Sequence, residues 1–117
     1  MNDYTDRYLK SKGHKVQPNP EEGQPGAGRQ GDRYVDGVKT EYKHPRPGAD
    51  SATIKNEITS SIKDGGQARD FVIDSRGTGM SEAEARRGIS RTMHPDVSRG
   101  KVDSIRVIGD GFDVSNK

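Results

Sequence analysis

Asp32, Glu41 and Lys43 are the residues of this 117-residue chain whose types and spacing suit chemistry on a phosphodiester. Between them stands Asp36-Gly37, the strongest short signal for a two-residue type I′ hairpin turn, because both turn positions need positive φ. A hairpin closed there sets Val35 against Val38, Tyr34 against Lys39, Arg33 against Thr40, and Asp32 against Glu41. Directly opposed residues share a sheet face, with Cβ atoms roughly 4.5–5.5 Å apart. One face then carries Asp32, Tyr34, Lys39, Glu41 and Lys43; the other carries Arg33, Val35, Val38, Thr40 and Tyr42. Opposed like charges destabilise a hairpin, and a fold accepts them when a divalent cation sits between the carboxylates. Mg²⁺ suits such a site because it prefers oxygen ligands and keeps several waters. Lys43, one pleat beyond Glu41, lies on the same face. There it can orient a nucleophilic water or steady charge at a scissile phosphate. An exposed face of mixed charge, with Glu41 between Lys39 and Lys43, satisfies the same spacing without a metal.

Several elements must hold that hairpin. Residues 3–12 suit a short helix with Tyr4, Tyr8 and Leu9 on one side, stopped by Gly13. Residues 14–17 suit a short strand. Residues 18–31, with Pro18, Pro20, Pro25 and four glycines, read as a mobile polar loop beside the site. Pro45 and Pro47 end the hairpin. A helix follows from a cap at Asp50 or Ser51 to about Lys63, with Ile54, Ile58 and Ile62 at i, i+4 and i+8, broken by Gly65-Gly66. Phe71-Val72-Ile73 suits a buried strand. Ser81 with Glu84 three residues on is a capping box, opening a helix to about Met93. Ile105–Ile108 supplies a last strand before Gly109-Asp110-Gly111. The order α, β, hairpin, α, β, α, β predicts a mixed α/β sandwich around one sheet, in a single domain.

Composition bounds the function classes. Hydrophobic residues make up 26% of the chain and mean hydropathy is −1.09, so the core is small. Charged residues reach 32%, but the net charge is only +2 and the apolar residues cluster periodically, which favours a folded domain over disorder. No apolar run approaches the ~20 residues of a membrane span, and no signal-peptide core follows Met1. Absence of cysteine removes disulfides and thiolate zinc sites. His14 and His94 make no metal spacing. Gly77-Thr78-Gly79 lacks the following Lys-Ser/Thr of a phosphate cradle and reads as a turn.

The ordered set Asp32, Asp-Gly turn, Glu41-x-Lys43, Pro45, a helix, Gln67-Ala68 and the strand Val72-Ile73-Asp74 resembles the PD-(D/E)xK nuclease superfamily. It is similar in particular to the C-terminal tRNase domains of contact-dependent growth-inhibition and related polymorphic bacterial toxins. The tail Ile105–Phe112 fits the same likeness, which spans about residues 4–114; Gly31 departs from it, standing where a proline often precedes the aspartate. The resemblance implies a restriction-endonuclease-like core, with helices flanking a central mixed sheet. It also implies catalytic Asp32, Glu41, Lys43 and Gln67, and Mg²⁺ or another divalent cation on Asp32 and Glu41. The superfamily often adds an acid from its first helix: Asp6 is the choice here, with Asp3, Glu21 and Glu22 as competitors. Gln67 reads equally as a polar residue after a Gly-Gly helix stop.

Tyr34 shares the active face and can stack on a base. His44, Arg46 and Lys55 are candidates for contacting nucleic acid, with Lys63 beside them on a backbone-binding rim. Arg86, Arg87 and Arg91 read as the solvated side of their helix, and Asp74 as a turn cap. The leading expectation is a metal-dependent endoribonuclease acting on tRNA; the near-neutral charge suits a small RNA target, whereas DNA cleavage more often needs a long basic groove. A metal-dependent DNase of the same fold and a non-catalytic binding module are the alternatives. The resemblance further implies a monomeric toxin domain paired with a cognate immunity protein. It would be exported as the C-terminal part of a larger secreted or cell-surface protein and act in the target cell's cytoplasm.

Overall fold

The computed structural model describes residues 2–18 and 32–117, the side chain of Asp32 excepted. The described elements run α1 (Asn2–Ser11), β1 (Val16–Pro18), β2 (Asp32–Val35), β3 (Val38–Lys43), α2 (Ser51–Lys63), β4 (Asp70–Asp74), α3 (Glu82–Met93), α4 (Pro95–Ser98), β5 (Ser104–Gly109) and β6 (Phe112–Ser115). The expected loop 18–31 lies outside the described residues from 19 onward, and Pro18 ends β1.

All six strands form one sheet in the order in which they occur in the chain. The outer pairs β1–β2, β2–β3 and β5–β6 are antiparallel, while the central β3–β4 and β4–β5 pairs are parallel. Parallel neighbours need crossover connections, here α2 and α3. Because both crossovers step in the same direction across the sheet and such crossovers share one hand, α2 and α3 fall on one face. Their Ile54, Ile58, Ala85 and Ile89 pack there on Phe71, Ile73, Ile105 and Val107. The opposite pleat presents Tyr42, Val72 and Ile108, and α1 covers these with Leu9. The mixed α/β architecture expected from the sequence is the one observed.

The hairpin closes as its turn residues require. Asp36 and Gly37 take φ of 52° and 83°, and the register pairs Asp32 with Glu41, Arg33 with Thr40, Tyr34 with Lys39 and Val35 with Val38. The Asp36 carboxylate accepts from the Lys15 amide at 2.8 Å and meets His14 Nδ1 at 2.7 Å, which anchors the turn to the residues before β1.

Two sequence expectations need correction, and one short element was not foreseen. Ile105–Ile108 is not the last strand: Gly109–Gly111 turns the chain into β6, whose four residues bury Val114 and pack the half-buried Phe112 on the core, too few for a periodic signal. The unforeseen element is the single-turn helix α4, which begins at Pro95. The Ser81–Glu84 box is half formed: Ser81 Oγ accepts the Glu84 amide at 3.1 Å, but Glu84 Oε1 accepts the Ser51 amide at 3.0 Å. Glu84 thus joins the first turns of α3 and α2 instead of closing its own helix. A reciprocal box does form at α2, where Thr53 N donates to Asp50 Oδ1 and Asp50 N donates to Thr53 Oγ1, both at 3.1 Å.

Candidate active site

Glu41 is only 4% exposed, and a carboxylate so buried must be paired or hydrogen-bonded. Both of its oxygens are engaged. Ser61 Oγ donates to Oε1 at 2.5 Å, and Lys43 Nζ lies 2.8 Å from Oε2. The strand alternation that sends Glu41 and Lys43 to the α2 face brings the lysine back along the pleat to its own neighbour. Ser61 comes from α2, one turn beyond Glu57, and the same side of the helix therefore carries Glu57 toward β3.

Glu57 is the residue that sequence reasoning missed. Burial pushes its carboxyl up from the ordinary range; Lys43 draws it down and the Glu41 charge adds to the rise. Glu57 Oε2 is buried and makes no hydrogen bond among the described residues. Two glutamates and one lysine thus converge between β3 and α2, with one carboxylate oxygen left without a donor. Such a group costs about 1–3 kcal/mol if nothing satisfies it, and more when charged. The available signal was its phase: Glu57 lies one turn before Ser61 and flanks the Ile54–Ile58 stripe on the side that faces the hairpin.

Asp32 stands opposite Glu41 in the backbone register, as expected. Its side chain, and with it the expected carboxylate–carboxylate contact, lies outside the described structure, as do Glu21 and Glu22. Among the described residues no three histidine or carboxylate side chains form a metal-binding group. Tyr34, half-buried opposite Lys39, occupies the position two residues along β2 from Asp32.

Other sequence candidates fall elsewhere. Asp6 is on the wrong side of the sheet: its Oδ1 accepts from Tyr42 OH at 2.8 Å and its Oδ2 from Arg33 Nε at 3.3 Å. Tyr42 and Glu41 are consecutive and point to opposite faces, so Asp6 cannot join Glu41 as a ligand. Burial and the Asp6 hydrogen bond raise the Tyr42 hydroxyl well above its ordinary range, which fixes it as the donor. His44 also faces α1. Its Nε2 contacts Asn2 Oδ1 at 2.9 Å, its ring stands edge-on to Tyr42, and burial pushes its pKa down, so the ring is neutral near pH 7. Asp3 is exposed on α1.

Asp74 is no turn cap alone. It accepts from Thr5 Oγ1 at 2.6 Å and from Arg76 Nε and Nη2 at 2.8 and 2.6 Å, which ties α1 to the end of β4. Gln67 is exposed in the loop after α2, beside Gly66, whose amide bonds to Ser61 O. Arg46 is exposed between β3 and α2, and Lys55 lies on the side of α2 away from Glu57. Arg91 is exposed, as expected, and also donates to Ser51 Oγ at 3.1 Å.

No protein-family model matches the sequence, and no curated protein matches it significantly. A solved structure does. The chain superposes with a TM-score of 0.75 on a chain of the CdiA-CT/CdiI toxin and immunity complex from Burkholderia pseudomallei, over 99% of its own length and 81% of that chain, at 21% identity. The two share a fold.

Proposed function

We propose that this chain is the metal-dependent endonuclease domain of a contact-dependent growth-inhibition toxin, with tRNA as its substrate and a cognate immunity protein as its partner. The observation that carries the reading is the cluster of Glu41, Glu57 and Lys43 between the hairpin and α2, which leaves Glu57 Oε2 without a donor among the described residues. The fold shared with a chain of a toxin–immunity complex supports the toxin setting and the partner. In that setting the domain is exported as the C-terminal part of a larger protein and acts in the target cell's cytoplasm.

The donor set fits a hard divalent cation such as Mg²⁺. Its groups are carboxylate oxygens, and Glu57 Oε2 is a buried acceptor with no hydrogen-bond donor among the described residues. Glu57 and Glu41 would hold the ion, with Asp32 completing the set from the opposing register position. Bound there, it would polarise a phosphodiester and supply a nucleophilic water. Ser61 holds the Glu41 carboxylate in one orientation. Lys43 holds a proton at Nζ next to Glu41 and can turn it toward a phosphate oxygen that gains charge in the transition state.

Purified domain, incubated with total tRNA and separately with plasmid DNA, with Mg²⁺ or with EDTA, tests this against Glu41→Ala. Discrete tRNA fragments that require both Mg²⁺ and Glu41 are expected. Plasmid cleavage with intact tRNA would move the assignment to a DNase. No cleavage of either substrate by folded protein, together with harmless expression in bacteria, would assign the chain to the immunity or binding side of such a pair.

A further inference from the structure

The side of α2 that does not meet Glu41 lines a groove. Across it from Lys55 and Lys63 stand Arg99 and Lys101, on the segment that leaves α4, and the cavity between them measures about 650 Å³. Ile62 and Val97 form its apolar floor. A second depression of about 330 Å³, lined by Gln67 and Arg69, continues it through the shared Ile62 and Lys101. None of Lys55, Lys63, Arg99 and Lys101 forms an ion pair among the described residues, in contrast to Arg69, Arg76, Arg86, Arg87 and Arg106. Asp96 is the carboxylate of the wider cavity, and its side chain is 91% exposed.

Arg99 adds an independent observation. It takes φ of 51° at the C-terminal cap of α4, the left-handed region where glycine is the default. An arginine there carries a backbone cost, and among the described residues its guanidinium forms no hydrogen bond or ion pair that offsets it. Strain retained at a side chain with no partner among the described residues points outward, to a ligand.

We propose that this groove binds the phosphate backbone of nucleic acid at a distance from the cleavage centre, an inference that rests on the nuclease reading above for its partner class. The lining suits phosphates better than an acidic protein. Three of the four cations are lysines and no aromatic residue lines the groove, whereas protein interfaces are depleted in lysine and enriched in aromatics. Phosphates, by contrast, are bound mainly by Lys and Arg and carry the affinity. The groove and the Glu41–Glu57 cluster lie on two sides of one helix, about 10 Å across. A folded RNA can therefore reach over α2 and place one strand at the cluster while a neighbouring stretch of backbone rests on the lysines. These four cations, unpaired among the described residues, thus compensate locally for a net charge of only +2.

The test measures binding of a fluorescent RNA stem-loop to the full chain in EDTA across a series of salt concentrations. Wild type is compared with Lys63→Ala/Lys101→Ala and with Lys10→Ala/Lys15→Ala, which removes the same charge from exposed positions far from the groove. Each phosphate contact adds roughly 0.7–0.9 to the slope of log K against log salt. The groove variant should bind at least tenfold more weakly at low salt, with a slope lower by about 1.5, and the control variant should match wild type. Equal slopes for all three proteins, or equal loss in the control, would overturn the proposal. So would polyglutamate that competes as well as RNA and loses its grip equally in the groove variant, since the surface would then be one for acidic protein. If the groove variant weakens as expected while wild type cleaves no nucleic acid, the groove stands and the nuclease reading falls.

Discussion

Glu57 and Asp74 are acids on the two faces of one sheet, and their surroundings move them in opposite directions. Burial and the Glu41 charge raise the Glu57 carboxyl, so its ionised form costs stability. Its contribution is favourable below the unfolded value of about 4.3 and is lost as pH rises through the higher folded value. Glu57→Gln should therefore melt above wild type at pH 8 and converge with it near pH 4, while the proposed tRNA cleavage falls by about 100-fold. Equal melting temperatures at both pH values would mean that Glu57 carries no such burden. Burial also pushes the Asp74 carboxyl up, but the hydrogen bonds from Arg76 and Thr5 outweigh it and hold it below the ordinary range. That stability is present above about pH 3.9 and is lost on acidification. Asp74→Asn should cost about 3 kcal/mol at pH 7, as expected for one broken buried pair, and less as pH falls toward 3. The measurement is urea unfolding at a series of pH values. The site is where folding and function diverge: a group that serves the proposed chemistry is the one that the fold would rather see neutral.

At the scale of elements, α2 serves three neighbours at once. Ile54 and Ile58 enter the core, Glu57 and Ser61 meet the hairpin, and Lys55 and Lys63 line the groove. Its position against α3 is set at Gly88, where an added Cβ would come within 2.7–2.9 Å of Ile54 Cδ1 and Cβ. The Cβ of Ile54 cannot rotate away, so Gly88→Ala must push the helices apart. A loss of about 2 kcal/mol is expected, together with weakened cleavage, because Glu57 moves with its helix. Unchanged stability in a thermal melt would show that the two helices slide freely. Asp50→Ala, which removes the reciprocal cap of α2, should cost about 1 kcal/mol. These elements differ in how far the sequence declares them. The hairpin and its register were legible because Asp36-Gly37 admits few turns, and α2 because three isoleucines recur at helical spacing. Asp6 was misplaced because spacing within a helix says nothing about which face of a sheet that helix will cover. Glu57 stayed hidden for a related reason: only the crossover from β3 to β4 decides what lies over Glu41.

At the scale of the molecule, stability and the proposed cation are linked. An ion that binds the folded chain alone raises its stability by RT ln(1 + [L]/Kd), about 2.7 kcal/mol at a hundredfold excess over Kd. Mg²⁺ should raise the melting temperature of wild type, Ca²⁺ should do so without supporting cleavage, and Glu41→Gln should erase both shifts. A wild-type melt indifferent to either ion would count against the site. The ends of the sheet are joined by a polar chain: Tyr8 OH and Arg106 both donate to Asp113, Arg106 Nη1 lies 2.9 Å from His14 Nε2, and His14 Nδ1 meets Asp36. That chain terminates at the hairpin turn, whose two residues have a further consequence. Side chains alternate along β2 and β3, so the turn acts as a parity lock on everything N-terminal to it. One inserted residue, unless a bulge absorbs it, would exchange the inside and outside of β2 and set Arg33 where Asp32 now stands against Glu41. An odd insertion that keeps the two-residue turn therefore silences the proposed site without touching any residue in it.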